Sequence, residues 1–251
     1  MISKKMLAEI TPTVMLVTNI LSTLSLVVIA MVAVLWWRAG GGFTSSTTSA
    51  PTAAAPSAPD AGGAAPVSQL SDAQWKDLLK NYEGQIGNKN AKITMVEFTD
   101  YQCPFCEQFF TNTLGQIKKN FIDTNKVNLE VHDYPLPFHP NAHIAAEFVR
   151  CGNEQGKFWQ AHDALFSKQS EWVNLSDPKP KFQEYAGSMG ANVSKLMSCV
   201  TSGKYKQAVD DDVALGNKVG VSGTPSFFVN GKLVVGALPY AQFETELNSA
   251  K

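Results

Sequence analysis

Two cysteines separated by two residues, Cys103-Pro104-Phe105-Cys106, are the residues of this sequence best suited to covalent chemistry. They follow an apolar stretch, 93–98, that predicts a strand, and they begin a stretch that predicts a helix. At a helix N-terminus the first sulfur meets unpaired N–H groups and the positive end of the dipole, which favour the thiolate. Pro104 suits this turn because its missing N–H would have no partner there. Since a stable thiolate leaves easily, the pair predicts thiol–disulfide exchange.

Zinc binding and an inert structural disulfide are alternative uses of such a pair. Structural zinc usually needs a second pair of Cys or His ligands. Cys151 and Cys199 are single and far apart, and Pro140 between His139 and His143 disfavours two ligands on one helical turn. We therefore expect redox activity and no metal.

The N-terminal part of the chain predicts a membrane anchor. The apolar stretch 14–37 contains no charged residue, and as a helix it would extend about 36 Å, enough to cross a bilayer of about 30 Å. A cleaved signal peptide is the alternative, but its apolar segment usually has only about 7–15 residues. Lys4 and Lys5 precede the span and Arg38 follows it, which predicts a cytoplasmic N-terminus at 1–13 and an extracytoplasmic domain.

Residues 38–66 are largely Gly, Ala, Ser, Thr and Pro, and they cannot bury enough apolar surface to offset the entropy of ordering. This stretch predicts a flexible linker to a folded domain at 67–251. The chain carries 21 basic and 22 acidic residues, so it offers no positive field for nucleic acid. The acidic run 210–212 predicts a solvated face of a helix and not a metal site.

The first half of the domain predicts a strand–helix–strand unit. One helix is expected from Pro104 onwards, because apolar residues recur on one of its faces, at Phe110, Leu114, Ile117 and Phe121. Alternating apolar residues at 127–131 predict the second strand. The order implies a parallel pair of strands joined by a right-handed crossover.

The second half predicts a helical insertion at about 139–222 and then a hairpin. Apolar residues at helical spacing fill the insertion. His162 lies on one such apolar face, which is more typical of a hydrogen-bonded core histidine than of a catalyst. Asn230-Gly231 between two apolar runs predicts a two-residue hairpin, and a closing helix is expected at 239–247. A short helix capped by Ser71 is expected before the first strand.

This order of elements, α/β overall, resembles the thioredoxin fold with an inserted helical subdomain. The motifs resemble those of DsbA-like thiol:disulfide oxidoreductases, particularly membrane-anchored bacterial members, over about 87–250. Besides the two cysteines, the resemblance rests on Val96-Glu97-Phe98-Thr99-Asp100-Tyr101-Gln102, Gly156-Lys157-Phe158-Trp159, His162-Asp163 and Gly223-Thr224-Pro225.

The resemblance implies a role for each matching position. Cys103 would be the exposed sulfur that forms a mixed disulfide with a client protein, and Cys106 the buried sulfur that resolves it. Pro225 would be a cis-proline packed against the pair, and the backbone of Thr224 would pair with an extended client segment. Glu97 would be a buried acid of raised pKa that exchanges a proton with Cys106. An ordinary strand glutamate is the alternative.

Phe105 departs from the His of the best-known oxidising members, and it cannot place a positive charge beside the first sulfur. With Pro104 it would instead offer clients an apolar surface. The resemblance requires the active pair to stay free to cycle, which leaves Cys151 and Cys199 for a structural disulfide. Two free buried cysteines are the alternative.

The resemblance implies an enzyme that introduces disulfides into reduced secreted or periplasmic proteins from a single-pass anchor in the inner membrane. A quinone-linked membrane protein, DsbB-like or of the vitamin K epoxide reductase type (VKOR-like), would reoxidise it. No bound cofactor and no nucleic acid partner is implied. Three alternatives remain: a disulfide isomerase or reductase of the same fold, a thiol carrier for copper or haem, and a membrane-tethered interaction module.

Overall fold

A computed structural model describes residues 69–80 and 82–250 of the 251-residue chain. The predicted cytoplasmic segment, anchor and linker at 1–66 lie outside these residues. Among the residues described, none of the helices combines the length and the apolar character needed to cross a bilayer.

Helix α1 (Asp72–Leu78) begins the described part, as predicted. Ser71 caps it: the Ser71 hydroxyl accepts a hydrogen bond from Gln74 N at 3.4 Å, and Gln74 Oε1 accepts one from Ser71 N at 3.1 Å. This reciprocal pair satisfies two N–H groups that the helix leaves without partners. Leu78 at the last turn is buried against the sheet.

Within the described residues, five strands form one sheet in the order β1–β3–β2–β4–β5. The strands are β1 (Gly84–Gly87), β2 (Ile93–Thr99), β3 (Val127–Asp133), β4 (Ser226–Val229) and β5 (Lys232–Val235). Strands β2 and β3 are parallel, as predicted, and the other neighbours are antiparallel. Strand β1 was not predicted, because two of its four residues are glycines and no alternation is visible.

The helix expected from Pro104 is present, but its winding changes along its length. It consists of α2 (Pro104–Phe109), a π-helical stretch (Phe110–Leu114), α3 (Gly115–Ile117) and a second π-helical stretch (Lys118–Ile122). A π turn holds one extra residue and so rotates the side chains that follow. Adjacent phenylalanines of this helix pack on different partners: Phe109 on Phe227 and Phe243, and Phe110 on Phe166.

Helices fill the chain between β3 and β4, in agreement with the predicted insertion. Among the described residues they are α4 (Ala142–Asn153), α5 (Phe158–Ser167), α6 (Gln169–Trp172), α7 (Lys179–Ser188), α8 (Val193–Thr201) and α9 (Lys206–Val219). A disulfide between Cys151 and Cys199 joins α4 to α8, with the two Cα atoms 5.9 Å apart. The short helix α6 was not predicted.

The predicted hairpin connects β4 and β5 through Asn230 and Gly231. Their φ angles of 46° and 85° are both left-handed, as a two-residue hairpin of this type requires. The Asn230 side chain also accepts a hydrogen bond from Thr94 N at 2.9 Å, which ties the hairpin to β2. Helix α10 (Tyr240–Ser249) then closes the domain.

The prediction for the acidic run 210–212 was wrong at Asp212, which is buried. Helix α9 turns this carboxylate toward the sheet, where it binds Arg150 Nη2 at 2.7 Å and lies 3.0 Å from His132 Nδ1. Arg150 is itself buried and also binds Asp133, at 2.6 Å, and Glu83. A buried guanidinium needs such partners, since an unpaired buried charge is costly.

Candidate active site

The two cysteines of the C-P-F-C motif lie at the N-terminus of α2 as free thiols. Cys103 is the N-cap residue, with extended backbone angles (φ −73°, ψ 124°). The pKa of the Cys103 thiol is lowered to about 6, chiefly by a hydrogen bond from Cys106. The nearby Thr224 hydroxyl and the N–H groups of Cys106 and Phe105 also lower this pKa, and together they outweigh burial.

Cys106 has the opposite environment. Its side chain is completely buried, and burial raises its pKa well above the usual value. The hydrogen bond to Cys103 and the Cys103 charge raise the Cys106 pKa further, while the N–H of Asp100, 3.5 Å from the sulfur, opposes the rise. One sulfur is therefore an anion near neutral pH, and the other keeps its proton.

The expectation that Cys103 is exposed was wrong, since only 3% of the residue is accessible to solvent. Its sulfur is covered by the loop before β4: in the thiol form, Cys103 Sγ donates a hydrogen bond to the Thr224 carbonyl oxygen at 3.4 Å, a bond that the thiolate does not make. The exposed residues of the motif are Pro104 and Phe105, the latter 60% exposed. The motif thus presents an apolar surface beside a covered sulfur.

Pro225 is buried, and the Thr224–Pro225 peptide bond is cis. The loop that contains it is held in place by two hydrogen bonds. The Ser226 hydroxyl donates to Gly223 O at 2.7 Å, and Gly236 N donates to Pro225 O at 2.9 Å. This arrangement places the Thr224 carbonyl against the Cys103 sulfur.

Glu97 is buried in the middle of β2, opposite Val131 on β3 and Phe227 on β4. Burial raises its pKa to about 7, and the nearby Thr99 hydroxyl offsets part of the rise. Within the described part of the chain, Glu97 Oε2 has no hydrogen-bond partner. Its charge contributes to the raised pKa of Cys106, so the carboxyl lies within electrostatic reach of that sulfur.

His162 is a core residue, as predicted. Its ring centroid lies 5.0–6.0 Å from the rings of Tyr101, Phe110, Phe158, Trp159 and Phe166. Burial lowers its pKa, so the ring stays neutral around pH 7, and its Nδ1 lies 2.9 Å from Asp163 Oδ1. His162 therefore belongs to an aromatic cluster of the core.

Asp100 is a site residue for which the sequence analysis predicted no role. It is buried, and its carboxylate accepts hydrogen bonds from Gln102 N at 2.7 Å and Leu136 N at 2.9 Å. His139 Nδ1 lies 2.7 Å from the same carboxylate. Asp100 thus connects the segment after β3, at Leu136 and His139, to the turn directly before Cys103. A hydrogen bond from an aspartate side chain to the backbone N–H two residues later is typical of turns. An aspartate shortly before the cysteine motif was therefore the signal in the sequence that could have identified Asp100.

Cys103 Sγ lies 3.4 Å from the carbonyl oxygen of Thr224, in the loop that also contains the cis-proline Pro225. Glu97 lies in β2, the strand that leads to Cys103 and Cys106. Cys151 of α4 and Cys199 of α8 are joined to each other by a disulfide. Within the described ranges, no three His, Cys, Asp or Glu side chains are grouped as metal ligands would be.

Comparison with known proteins agrees with the fold. A family model described as Thioredoxin matches residues 80–249. The chain is 31% identical over 147 residues to a Na⁺/H⁺ antiporter, NhaA 3 of Salinispora tropica, covering 58% of this chain and 21% of the antiporter. It is 27% identical to a putative protein-disulfide oxidoreductase of Rickettsia typhi (61% of this chain, 56% of that protein). It is also 27% identical to disulfide bond formation protein D of Bacillus subtilis (63% and 72%). The chain thus spans about a fifth of the antiporter and about half of the Rickettsia protein.

Solved structures match over most of the domain. Oxidised BdbD from Bacillus subtilis matches with a TM-score of 0.62 at 24% identity, covering 72% of this chain and 95% of BdbD. Wolbachia pipientis alpha-DsbA1 matches with a TM-score of 0.61 at 25% identity, covering 68% and 92%. With its parallel β2–β3 pair, cis-proline loop and helical insertion, this chain belongs to the thioredoxin family and has the fold of its DsbA-like members.

Proposed function

We propose that this domain is a thiol–disulfide oxidoreductase that introduces disulfides into exported proteins through the Cys103–Cys106 couple. The observation that carries the proposal is the placement of the two thiols: Cys103 is the N-cap residue of α2, and Cys106 is completely buried. The pKa of Cys103 is lowered to about 6, and that of Cys106 is raised well above its usual value. An easily ionised Cys103 is a good leaving group, so a client is released readily.

The reaction starts from the Cys103–Cys106 disulfide. A client thiolate attacks Cys103 Sγ, the Cys103–Cys106 bond breaks, and Cys106 leaves as a thiolate that takes up a proton. The Glu97 carboxyl, with its pKa near 7, is the nearby group suited to supply that proton. A second client thiolate then attacks the client sulfur bound to Cys103, and Cys103 leaves as a stable thiolate. The client loses two electrons and two protons, and the enzyme gains both electrons.

Clients would bind around the covered sulfur. The Thr224 backbone, beside Cys103 Sγ, is suited to pair with an extended client segment. Exposed Pro104 and Phe105 offer apolar contact next to it, and an unfolded chain presents apolar side chains for such contact. Since Phe105 cannot contribute a positive charge, stabilisation of the Cys103 thiolate depends on hydrogen bonds.

An extracytoplasmic location at the membrane is part of the proposal. It is supported by the uncharged apolar stretch 14–37 and by the Cys151–Cys199 disulfide, because structural disulfides persist mainly outside the cytoplasm. A periplasmic thioredoxin-like protein of Salmonella enterica has the same fold at 22% identity, with a TM-score of 0.56. A quinone-linked membrane protein, DsbB-like or VKOR-like, would reoxidise the couple.

A redox titration tests this function. The full-length protein is equilibrated with glutathione buffers, and oxidation of reduced, unfolded ribonuclease is followed with the wild type and with Cys103→Ser. We expect a potential above about −200 mV, the range of protein oxidants, and loss of oxidation in the variant. A potential below about −250 mV would support the reductase alternative instead. Undiminished oxidation by Cys103→Ser would contradict the proposed site.

A further inference from the structure

The turn that carries Cys103 is fastened to the helical insertion by one buried amide. Gln169, the first residue of α6, is 6% exposed. Its Nε2 donates hydrogen bonds to the carbonyl oxygens of Tyr101 and Cys103, both at 3.0 Å. A primary amide has two N–H donors, and both are used here. Removing these donors would cost free energy, because both carbonyls would lose a hydrogen bond in a buried position.

The Cys103 carbonyl is also the acceptor that starts α2. It receives the N–H of Glu107 at 3.1 Å, so it is held by the helix on one side and by Gln169 on the other. Cys103 is the N-cap residue of α2, so its sulfur lies at the N-terminal end of that helix, where the N–H groups of Cys106 and Phe105 lower its pKa. The carbonyl and the side chain of Cys103 share one residue, so a fixed carbonyl also limits where the sulfur can lie.

Other polar side chains support the same contact but do not reach Cys103. Gln102 Nε2 donates to Val173 O at 2.9 Å, and Gln102 Oε1 accepts from Asn141 N at 2.7 Å. Asn141 Nδ2 in turn donates to Leu175 O at 2.8 Å. Among the described residues, only Gln169 donates a side-chain hydrogen bond to the Cys103 carbonyl.

We propose that Gln169 is a positioning residue for the redox pair: it holds the carbonyl of Cys103 so that the sulfur faces the N-terminus of α2. Gln169 acts through the backbone and touches neither sulfur. The proposal rests on the proposed function, in which an easily ionised Cys103 releases the client. It makes the helical insertion part of the device that sets the redox equilibrium, in addition to any role in client binding.

Gln169→Met tests this role because it keeps the length of the side chain and removes both donors. We expect the pKa of Cys103, followed by thiolate absorbance in the reduced protein, to rise by about half a unit to one unit, the size of one lost hydrogen bond. The equilibrium with glutathione should shift toward the disulfide by about three- to tenfold.

Gln155→Met is the matched control. Gln155 lies in the same insertion, and its amide likewise bonds the backbone, with Nε2 3.3 Å from Asn192 O and Oε1 2.8 Å from Asn192 N. This variant should leave the pKa of Cys103 and the glutathione equilibrium unchanged. A shift of the same size in both variants would show that Gln169 acts only through general stability.

An unchanged Cys103 pKa in folded Gln169→Met would overturn the proposal. Should that variant fail to fold, the wild type still decides the question by NMR. The Gln169 side-chain amide protons should exchange slowly and shift when the cysteine pair is reduced, whereas exchange at the solvent rate would contradict the contact. The two proposals fail separately: a wild type unable to oxidise ribonuclease would end the proposed function, while the titration still measures the role of Gln169.

Discussion

Replacing Glu97 by Gln should stabilise the protein at high pH and leave it unchanged at low pH. Burial raises the pKa of Glu97 from 4.5 to about 7. Between these values the folded state binds a proton that the unfolded state does not, so stability falls as pH rises from about 4.5 to about 7. The shift corresponds to about 3 kcal/mol, which the wild type has lost at pH 8 and fully retains at pH 4.

Gln keeps the shape of the side chain but carries no charge, so the variant avoids this loss. Urea denaturation of the fully reduced proteins at pH 4, 6 and 8 measures the difference. We expect the free energy of unfolding of Glu97→Gln to exceed that of the wild type by up to about 3 kcal/mol at pH 8 and to equal it at pH 4. Glu244→Gln, at an exposed position of α10, is the control and removes no buried charge. If the free energies of unfolding of Glu97→Gln and the wild type changed equally with pH, Glu97 would not be a buried, unpaired acid.

Two further predictions concern stability. Replacing both Cys151 and Cys199 by Ala should lower the free energy of unfolding by about 4 kcal/mol, the chain-entropy value for a disulfide across 48 residues. Urea denaturation under oxidising conditions measures this loss. An equal midpoint for the variant and the wild type would show that the disulfide does not constrain the unfolded chain. Gly84→Ala should destabilise by about 1–3 kcal/mol, because the added Cβ would lie 2.0 Å from the Phe158 ring. Gly115→Ala, with nothing within 4 Å of its Cβ, is the helical control and should be neutral or slightly stabilising. Equal thermal midpoints for the two glycine variants would contradict the close packing at Gly84.

Local patterns were sufficient for most of the fold. The hairpin at Asn230-Gly231 and the helix capped by Ser71 depend on neighbours within a few residues, so sequence alone predicted them. Strand β1 was missed because it exists only by pairing with β3, 41 to 47 residues further along the chain. The π-helical stretches were missed because each has only five residues, too few for the spacing of apolar residues to distinguish a π turn from an α turn.

The chemistry of the site could also be predicted from the sequence, but the burial of Cys103 could not. The spacing of Cys103 and Cys106 predicted the redox pair, and the family resemblance pointed to Glu97. The burial of Cys103 depends on Thr224, 121 residues away, and Gln169 reaches Cys103 across 66 residues. Such long-range contacts leave no spacing pattern that a reader of the sequence could find.

The neighbouring phenylalanines of the active helix have a mechanical consequence. Phe109 packs against Phe227 of β4 and Phe243 of α10, while Phe110 packs against Phe166 of the insertion. Cys106 lies only three residues before Phe109, so the turn that contains the cysteines is tied both to the sheet and to the insertion. A displacement of the insertion relative to the sheet would therefore act directly on this turn.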